Sequence, residues 1–158
     1  MRGSALSRGS RLLALSCGLL FCASQARAVL GETADSVDAD QLYFKGQRRQ
    51  SMAGRMNAHE ISLPDGSSIK EYVNAAGVVF AVSWRTRLKP DLEQLLGPNF
   101  VLYTGRQNAA SGVAGSKMLR SVRQPDLVLH QGGRMNAFAG LAYVPTLVPE
   151  GFDADTLR

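Results

Sequence analysis

Beyond residue 28 the chain has no cysteine, because both of its cysteines, Cys17 and Cys22, fall in the first 28 residues. The remainder can therefore form no disulfide, no thiolate metal site and no cysteine nucleophile. Histidine is nearly as scarce, with two residues, His59 and His130, far apart in the sequence. The only metal arrangement they allow is two histidines with one carboxylate from Glu60, Glu71 or Asp126. His59-Glu60 is not followed by the second histidine of a helical zinc protease, and it sits on an alternating stretch that reads as a strand. There is no Gly-x-Ser-x-Gly nucleophile elbow. Aromatic residues make up 7% of the chain and include a single Trp, which leaves no run of bases interleaved with rings for stacking nucleobases.

What is present begins with a targeting pattern. Arg2, Arg8 and Arg11 precede an apolar run, Leu12 to Ala23, and Ala26-Arg27-Ala28 supplies a small-x-small cleavage site. These features predict a signal peptide over residues 1–28 whose apolar run is too short to span a bilayer. Its removal takes four of the 18 Lys+Arg residues and none of the 13 Asp+Glu, leaving 14 against 13. The high isoelectric point of the whole chain then loses its force as an argument for nucleic-acid binding. The remaining residues amount to one ordinary domain, with no second apolar stretch of membrane-spanning length. A periplasmic or secreted protein without a transmembrane anchor after cleavage is expected.

Residues 29–50 read as an N-terminal helical segment. Ser36 is placed to cap it, acids lie in the first turns, Arg48 and Arg49 lie near the end, and Gly46 can stop it. Residues 51–145 read as a single domain, centred on Ile61 to Gly97. Alternation predicts a strand through His59, Ile61 and Leu63, a Pro64-Asp65-Gly66 turn, a return strand over Ile69 to Asn74, a turn at Ala75-Ala76-Gly77, and a third strand over Val78 to Trp84. On that third strand Val78, Phe80, Val82 and Trp84 are expected to share one face, with Val79, Ala81 and Ser83 on the other. Pro90 to Gly97 reads as a short helix with Leu92, Leu95 and Leu96 on its apolar stripe, and Pro98 to Tyr103 as one or two further helical turns. Asp126 to Gln131, a Gly132-Gly133 turn and Arg134 to Val144 read as a hairpin. Residues 146–158 are expected to be an extended tail. The pentapeptide at Gly54 to Ala58 recurs at Gly133 to Ala137, and it reads as two strands entered through similar Gly-Arg turns.

Residues 104–124 differ in kind. They hold no acid, are rich in small residues and carry Arg106, Lys117, Arg120 and Arg123. This segment reads as a mobile basic loop, and its four bases are the candidate binding residues for an anionic partner. If it is only a linker, the sheet around Tyr72 and Trp84 is the next candidate surface. Ser67-Ser68-Ile69-Lys70 matches the Ser-x-x-Lys of penicillin-binding enzymes, but its companion motifs are absent and Ser is ordinary after a Pro-Asp-Gly turn. Gly112 to Lys117 has the glycines of a phosphate loop at the wrong spacing. No residue is singled out as catalytic, and no metal or other cofactor is expected.

Several stretches together resemble a family. They are LPDG at residues 63–66, KEYV at 70–73, GVVFAVSW at 77–84, PDLEQLLG at 90–97 and GRMNAFAGLAYVP at 133–145. In this combination the chain is similar to small exported proteobacterial (Burkholderia-like) proteins grouped as a domain of unknown function, in which Arg is usual where this chain has Lys70. The resemblance implies export and one folding unit, and it carries over no catalytic residue. The expected fold is α+β: a small antiparallel sheet of about five strands with two or three short helices. The expected function is that of a non-enzymatic exported binding or interaction protein whose partner is an envelope protein or an anionic envelope component, not nucleic acid. The alternative is a small hydrolase or metal-dependent enzyme using His59, Glu71 or His130.

Overall fold

A computed structural model describes residues 30–54, 56–109, 119–151, 153 and 157. The domain is built on one seven-stranded antiparallel sheet. Its strands are β1 (Gln47–Ala53), β2 (Met56–Ser62), β3 (Ser68–Val73), β4 (Val79–Thr86), β5 (Leu119–Arg123), β6 (Val128–Arg134) and β7 (Ala137–Tyr143), in the spatial order β1-β2-β3-β4-β7-β6-β5. Two meanders, β1 to β4 and β5 to β7, therefore meet where β4 pairs with β7. The helices are α1 (Ser36–Phe44), α2 (Leu92–Leu96) and α3 (Phe100–Ala109), the last two separated by a 3-10 turn at Gly97–Asn99. A further 3-10 turn lies at Pro145–Leu147.

The sheet has two unlike faces. On one, Ile61, Ile69, Val82, Trp84, Leu129 and Ala142 pack beneath Leu92, Leu95 and Leu96 of α2 and Tyr103 of α3. Val37 of α1 packs on Val73 and Val79. These contacts bury the leucine stripe of α2, as its spacing requires. Asp91 starts α2 by accepting a hydrogen bond from the Gln94 amide (3.1 Å). The opposite face has a smaller apolar patch, Met56, Ala58, Tyr72, Phe80, Ala81 and Leu141, on which Leu157 rests.

Two turns follow their sequence signals closely. Gly66 takes φ 83° in the β2–β3 hairpin and Gly77 takes φ 77° in the β3–β4 hairpin. In the second, Asn74 Oδ1 accepts from the amides of Ala76 (3.0 Å) and Val78 (3.1 Å).

Elsewhere tertiary contacts override local signals. The count of about five strands rises to seven because two polar stretches pair at the edges. Gln47–Ala53, whose first four residues were expected in the N-terminal helical segment, is the edge strand β1 and is exposed over nearly its whole length. α1 ends at Phe44, with Lys45 at φ 52°. A Cβ on Gly46 would lie 2.4 Å from the Ile61 side chain, so this glycine serves a close approach to β2. The N-cap is Asp35, while Ser36 Oγ donates to the Thr33 carbonyl (2.7 Å).

The expected loop over 104–124 contributes the end of α3 and all of β5. Residues 110–118, with Lys117 and the glycine-rich phosphate-loop-like stretch, lie outside the described residues. Charged residues fit an edge strand, where they discourage pairing with other chains, so composition alone made β5 look like a loop. The tail from Pro145 opens with a 3-10 turn, and Leu147 accepts a hydrogen bond from Asn74 Nδ2 (3.1 Å). Leu157 is buried, so that tail is not simply extended.

The face assignment on β4 is also corrected. Tyr72 pairs with Ala81 and Val73 with Val79, so Phe80 is an extra residue and β4 bulges there. The bulge turns Phe80 to the same side as Ala81 and puts Val79 on the helix-covered side, as one inserted residue must. The Gly132-Gly133 turn moves as well. Both glycines are within β6, and Arg134 pairs with Ala137 across Met135 and Asn136, the latter at φ 61°. The repeated pentapeptide therefore has two placements. At its first copy the turn glycine is Gly54 (φ 66°), between paired Ala53 and Met56; at its second, Gly133 and Arg134 are strand.

Candidate functional site

Strand register places the chemistry of the open face. Glu60 pairs with Lys70, Lys70 with Ser83, Ser83 with Leu141, Leu141 with His130 and His130 with Ser121. Side chains at paired positions point the same way, so these six residues form a row across six strands. Beside it on the same face lies an apolar row, Ala58, Tyr72, Ala81, Tyr143 and Val128. On the other side lies Ser68, Arg85, Ala139 and Gly132. The middle of this face is floored by Ser68, Ser83, Ala139 and Gly132, whose small side chains leave a hollow. An open cavity of about 800 Å³ occupies it, within the size range of small-molecule sites.

The walls differ in character. Tyr72, Leu141 and Leu157 give an apolar end. Lys70, Arg85 and Glu60 give charge, two cations against one anion. Arg120 edges the cavity, but it pairs with Gln131, whose side chain reaches Tyr103, and so points to the covered face. Lys70 Nζ is 3.6 Å from Glu60 Oε1. Arg85 has no ion-pair partner among the described residues. At the β5 edge Ser121 Oγ and His130 Nδ1 are hydrogen-bonded at 2.8 Å.

That serine–histidine contact lacks what hydrolysis needs. Glu60, the acid in the cavity wall, is on β2, four strand spacings from β6, or about 19 Å, so it cannot orient His130. The pair is a hydrogen-bonded point on the open face.

A second polar cluster lies under the helices. Glu71, on β3, is opposite His59 on β2. Asp40 comes down from α1, and Gln94 Nε2 of α2 donates to Asp40 Oδ1 (2.6 Å). Asp40 and Glu71 are 1% and 2% exposed, and His59 and Gln94 are also buried. Burial pushes the Glu71 carboxyl up to about 9, and its hydrogen bond with Asp40 and the nearby Asp40 charge push the same way. Burial also raises Asp40, to about 6, against the lowering effect of its hydrogen bonds with Glu71 and Gln94. Glu71 is therefore the protonated member and donates to Asp40 at neutral pH. Burial, helped by the Arg48 charge, lowers the His59 pKa and keeps the ring neutral. Arg48 itself pairs with Asp38. His59 Nδ1 and Glu71 Oε2 have no hydrogen-bond partner among the described residues.

The structure thus joins two of the sequence candidates and separates the third. His59 and Glu71 are neighbours on the covered face, whereas His130 is on the open one. The enzyme reading that combined them loses its geometric basis. No group of three or more His, Cys, Asp or Glu residues suited to a metal ion occurs among the described residues.

Of the four bases expected to bind an anion, Arg120 edges the cavity but pairs with Gln131 and points to the covered face, and Arg123 is exposed at the end of β5. Arg106 is on α3, away from β5 in sequence. Ser67 is spoken for structurally. It is buried, donates from its amide and hydroxyl to Asp65 (both 2.9 Å), and accepts from the Arg87 amide (3.0 Å). Those bonds hold the Asp65 carboxyl below its usual range and leave no free serine nucleophile.

Sequence reasoning weighed Glu60 only as a metal carboxylate and Lys70 only in a Ser-x-x-Lys match, and passed over Ser83 and Arg85 as site residues. The available signal was the alternation Ser68, Lys70, Tyr72 along β3, which marks one polar-to-apolar face.

A family model described as "Protein of unknown function (DUF2844)" matches residues 26–157. Neither the curated proteins nor the solved structures contain a match to the chain. No helix among the described residues is long and apolar enough to cross a membrane.

Proposed function

The chain belongs to the DUF2844 family of proteins of unknown function, and from the open-face cavity we propose that it is a non-enzymatic binding protein. The observation that carries this reading is the hollow of about 800 Å³ floored by Ser68, Ser83, Ala139 and Gly132. Helices cover one side of the sheet and leave this one accessible. The cavity wall combines apolar surface with a few fixed polar groups, the usual composition of a ligand site.

Export to the periplasm or the exterior is part of the proposal, and it rests on the basic, apolar and Ala-x-Ala pattern of residues 1–28. The proteobacterial origin rests on the likeness of the quoted stretches. An envelope molecule is then the natural partner, with cationic groups in the wall favouring an anionic one.

Native mass spectrometry of the protein purified from its own envelope fraction tests this. The wild type is expected to carry a small molecule that Ser83→Leu, which fills the cavity floor, does not. Equal occupancy in both proteins places the ligand elsewhere, and two empty proteins remove the reading. The same spectrum reports cleavage after Ala28, and a mass that retains Met1 overturns export.

A further inference from the structure

We propose that the cavity takes a single-tailed anionic amphiphile as a monomer, with its head at Arg85 and Lys70 and its tail toward Tyr72, Leu141 and Leu157. This rests on the binding reading above and names the ligand class.

The argument is the order of the three rows. Arg85 lies in the row of Ser68, Ala139 and Gly132, Lys70 in the middle row, and Tyr72 in the apolar row. Two positions along a strand separate successive rows, so polarity changes from guanidinium to aromatic over about 13 Å. A ligand that satisfies both ends must itself be polar at one end and apolar at the other. The apolar end is more than sheet surface, because Leu157 rests on Tyr72, Ala81 and Leu141 and gives that part a third wall. The charge balance at the polar end favours an anionic head. Glu60 answers Lys70 at 3.6 Å, and Arg85 remains without an ion-pair partner among the described residues.

A planar guanidinium favours a carboxylate or phosphate, to which it can donate two parallel hydrogen bonds. Ser121 and His130 supply a further hydrogen-bonding point at the far edge. The depth of the hollow favours a molecule entering singly over a membrane surface, which would meet the rim alone.

Titration calorimetry with dodecanoate, dodecyl phosphate and dodecyltrimethylammonium tests the class. The two anions are expected to bind at one per protein, and the cation at least tenfold more weakly. Arg85→Gln with Lys70→Gln is expected to weaken both anions at least tenfold and to abolish their preference over the cation, with an unchanged melt. Tyr72→Ser is expected to weaken binding of dodecanoate while leaving its salt dependence.

Equal binding of all three probes overturns the ligand class but leaves a cavity that binds apolar tails. No binding of any probe by the wild type, together with a copurified ligand that Ser83→Leu loses, also overturns the class while the binding reading stands. Association with phosphatidylglycerol vesicles that survives Ser83→Leu, without monomer binding, shows a membrane-surface protein and overturns the proposal.

Discussion

The two faces of the sheet solve opposite problems with the same strands. The covered face excludes water with helices, and what it buries must be apolar or internally paired. Ile69, Val82 and Leu129 meet the first condition; Asp40, Glu71 and Gln94 meet the second by sharing a proton and a hydrogen bond. His59 Nδ1, Glu71 Oε2 and Trp84 Nε1, by contrast, are buried without a partner among the described residues. The open face keeps its charges in water, where Lys70 and Glu60 cost little to expose and contribute little to stability. Because neighbouring residues on a strand point to opposite faces, Lys70 and Glu71 occupy these two worlds one residue apart. Stability should therefore respond to changes on one face and ligand binding to changes on the other.

The largest test of that division is Trp84→Ala. The side chain is 2% exposed in the main cluster, and its loss is expected to cost about 3–5 kcal/mol in chemical denaturation. A loss below about 1 kcal/mol would mean that the helices do not hold the covered face.

Next in size is pH. Both buried carboxyls have folded-state values above their ordinary ones, about 6 against 3.8 for Asp40 and about 9 against 4.5 for Glu71. The protonated forms therefore stabilise the fold, fully so below about pH 4. That stabilisation is lost as pH rises through 6 and then 9. Wild-type stability is expected to fall between pH 5 and 9, and Glu71→Gln is expected to flatten the curve and be the more stable protein at pH 9. A wild-type melt that rises over the same interval would break the assignment.

Gly140→Ala probes how tightly the covered face is packed. An added Cβ would meet the Trp84 ring at 2.2 Å and the His130 carbonyl at 2.9 Å. Overpacking of this kind is expected to cost about 1–3 kcal/mol, read as a lower denaturation midpoint with an unchanged slope.

The smallest expected effect is on the other side. Ser83→Ala and Arg85→Gln are expected to change stability by no more than about 0.5 kcal/mol. A larger loss in either would show that the open face also carries the fold.

The outline of this molecule was legible in its sequence wherever the determinant was local. Alternation marks β2 and β3 because one side of each meets the core. Pro64-Asp65-Gly66 and Ala75-Ala76-Gly77 mark turns because Gly66 and Gly77 take positive φ, and the leucine spacing marks α2. Single Lys70 and Tyr72 positions on one side of β3 were readable too, but not that Arg85, His130 and Ser121 would join them. That convergence depends on β7 pairing with β4 and carrying β6 and β5 beside it, a contact between residues about 60 positions apart in the chain (Val82 with Ala142).

Tertiary structure alone decided three further things. It made strands of the polar stretches 47–53 and 119–123, since a paired edge needs backbone partners more than apolar side chains. It gave the same five residues, Gly-Arg-Met-Asn-Ala, two placements around a turn, since register across the hairpin fixes where the turn falls. And it brought Asp40 from α1 onto Glu71, turning two ordinary acids into a proton-sharing pair, because burial and proximity, neither of which is a property of sequence, set their charge.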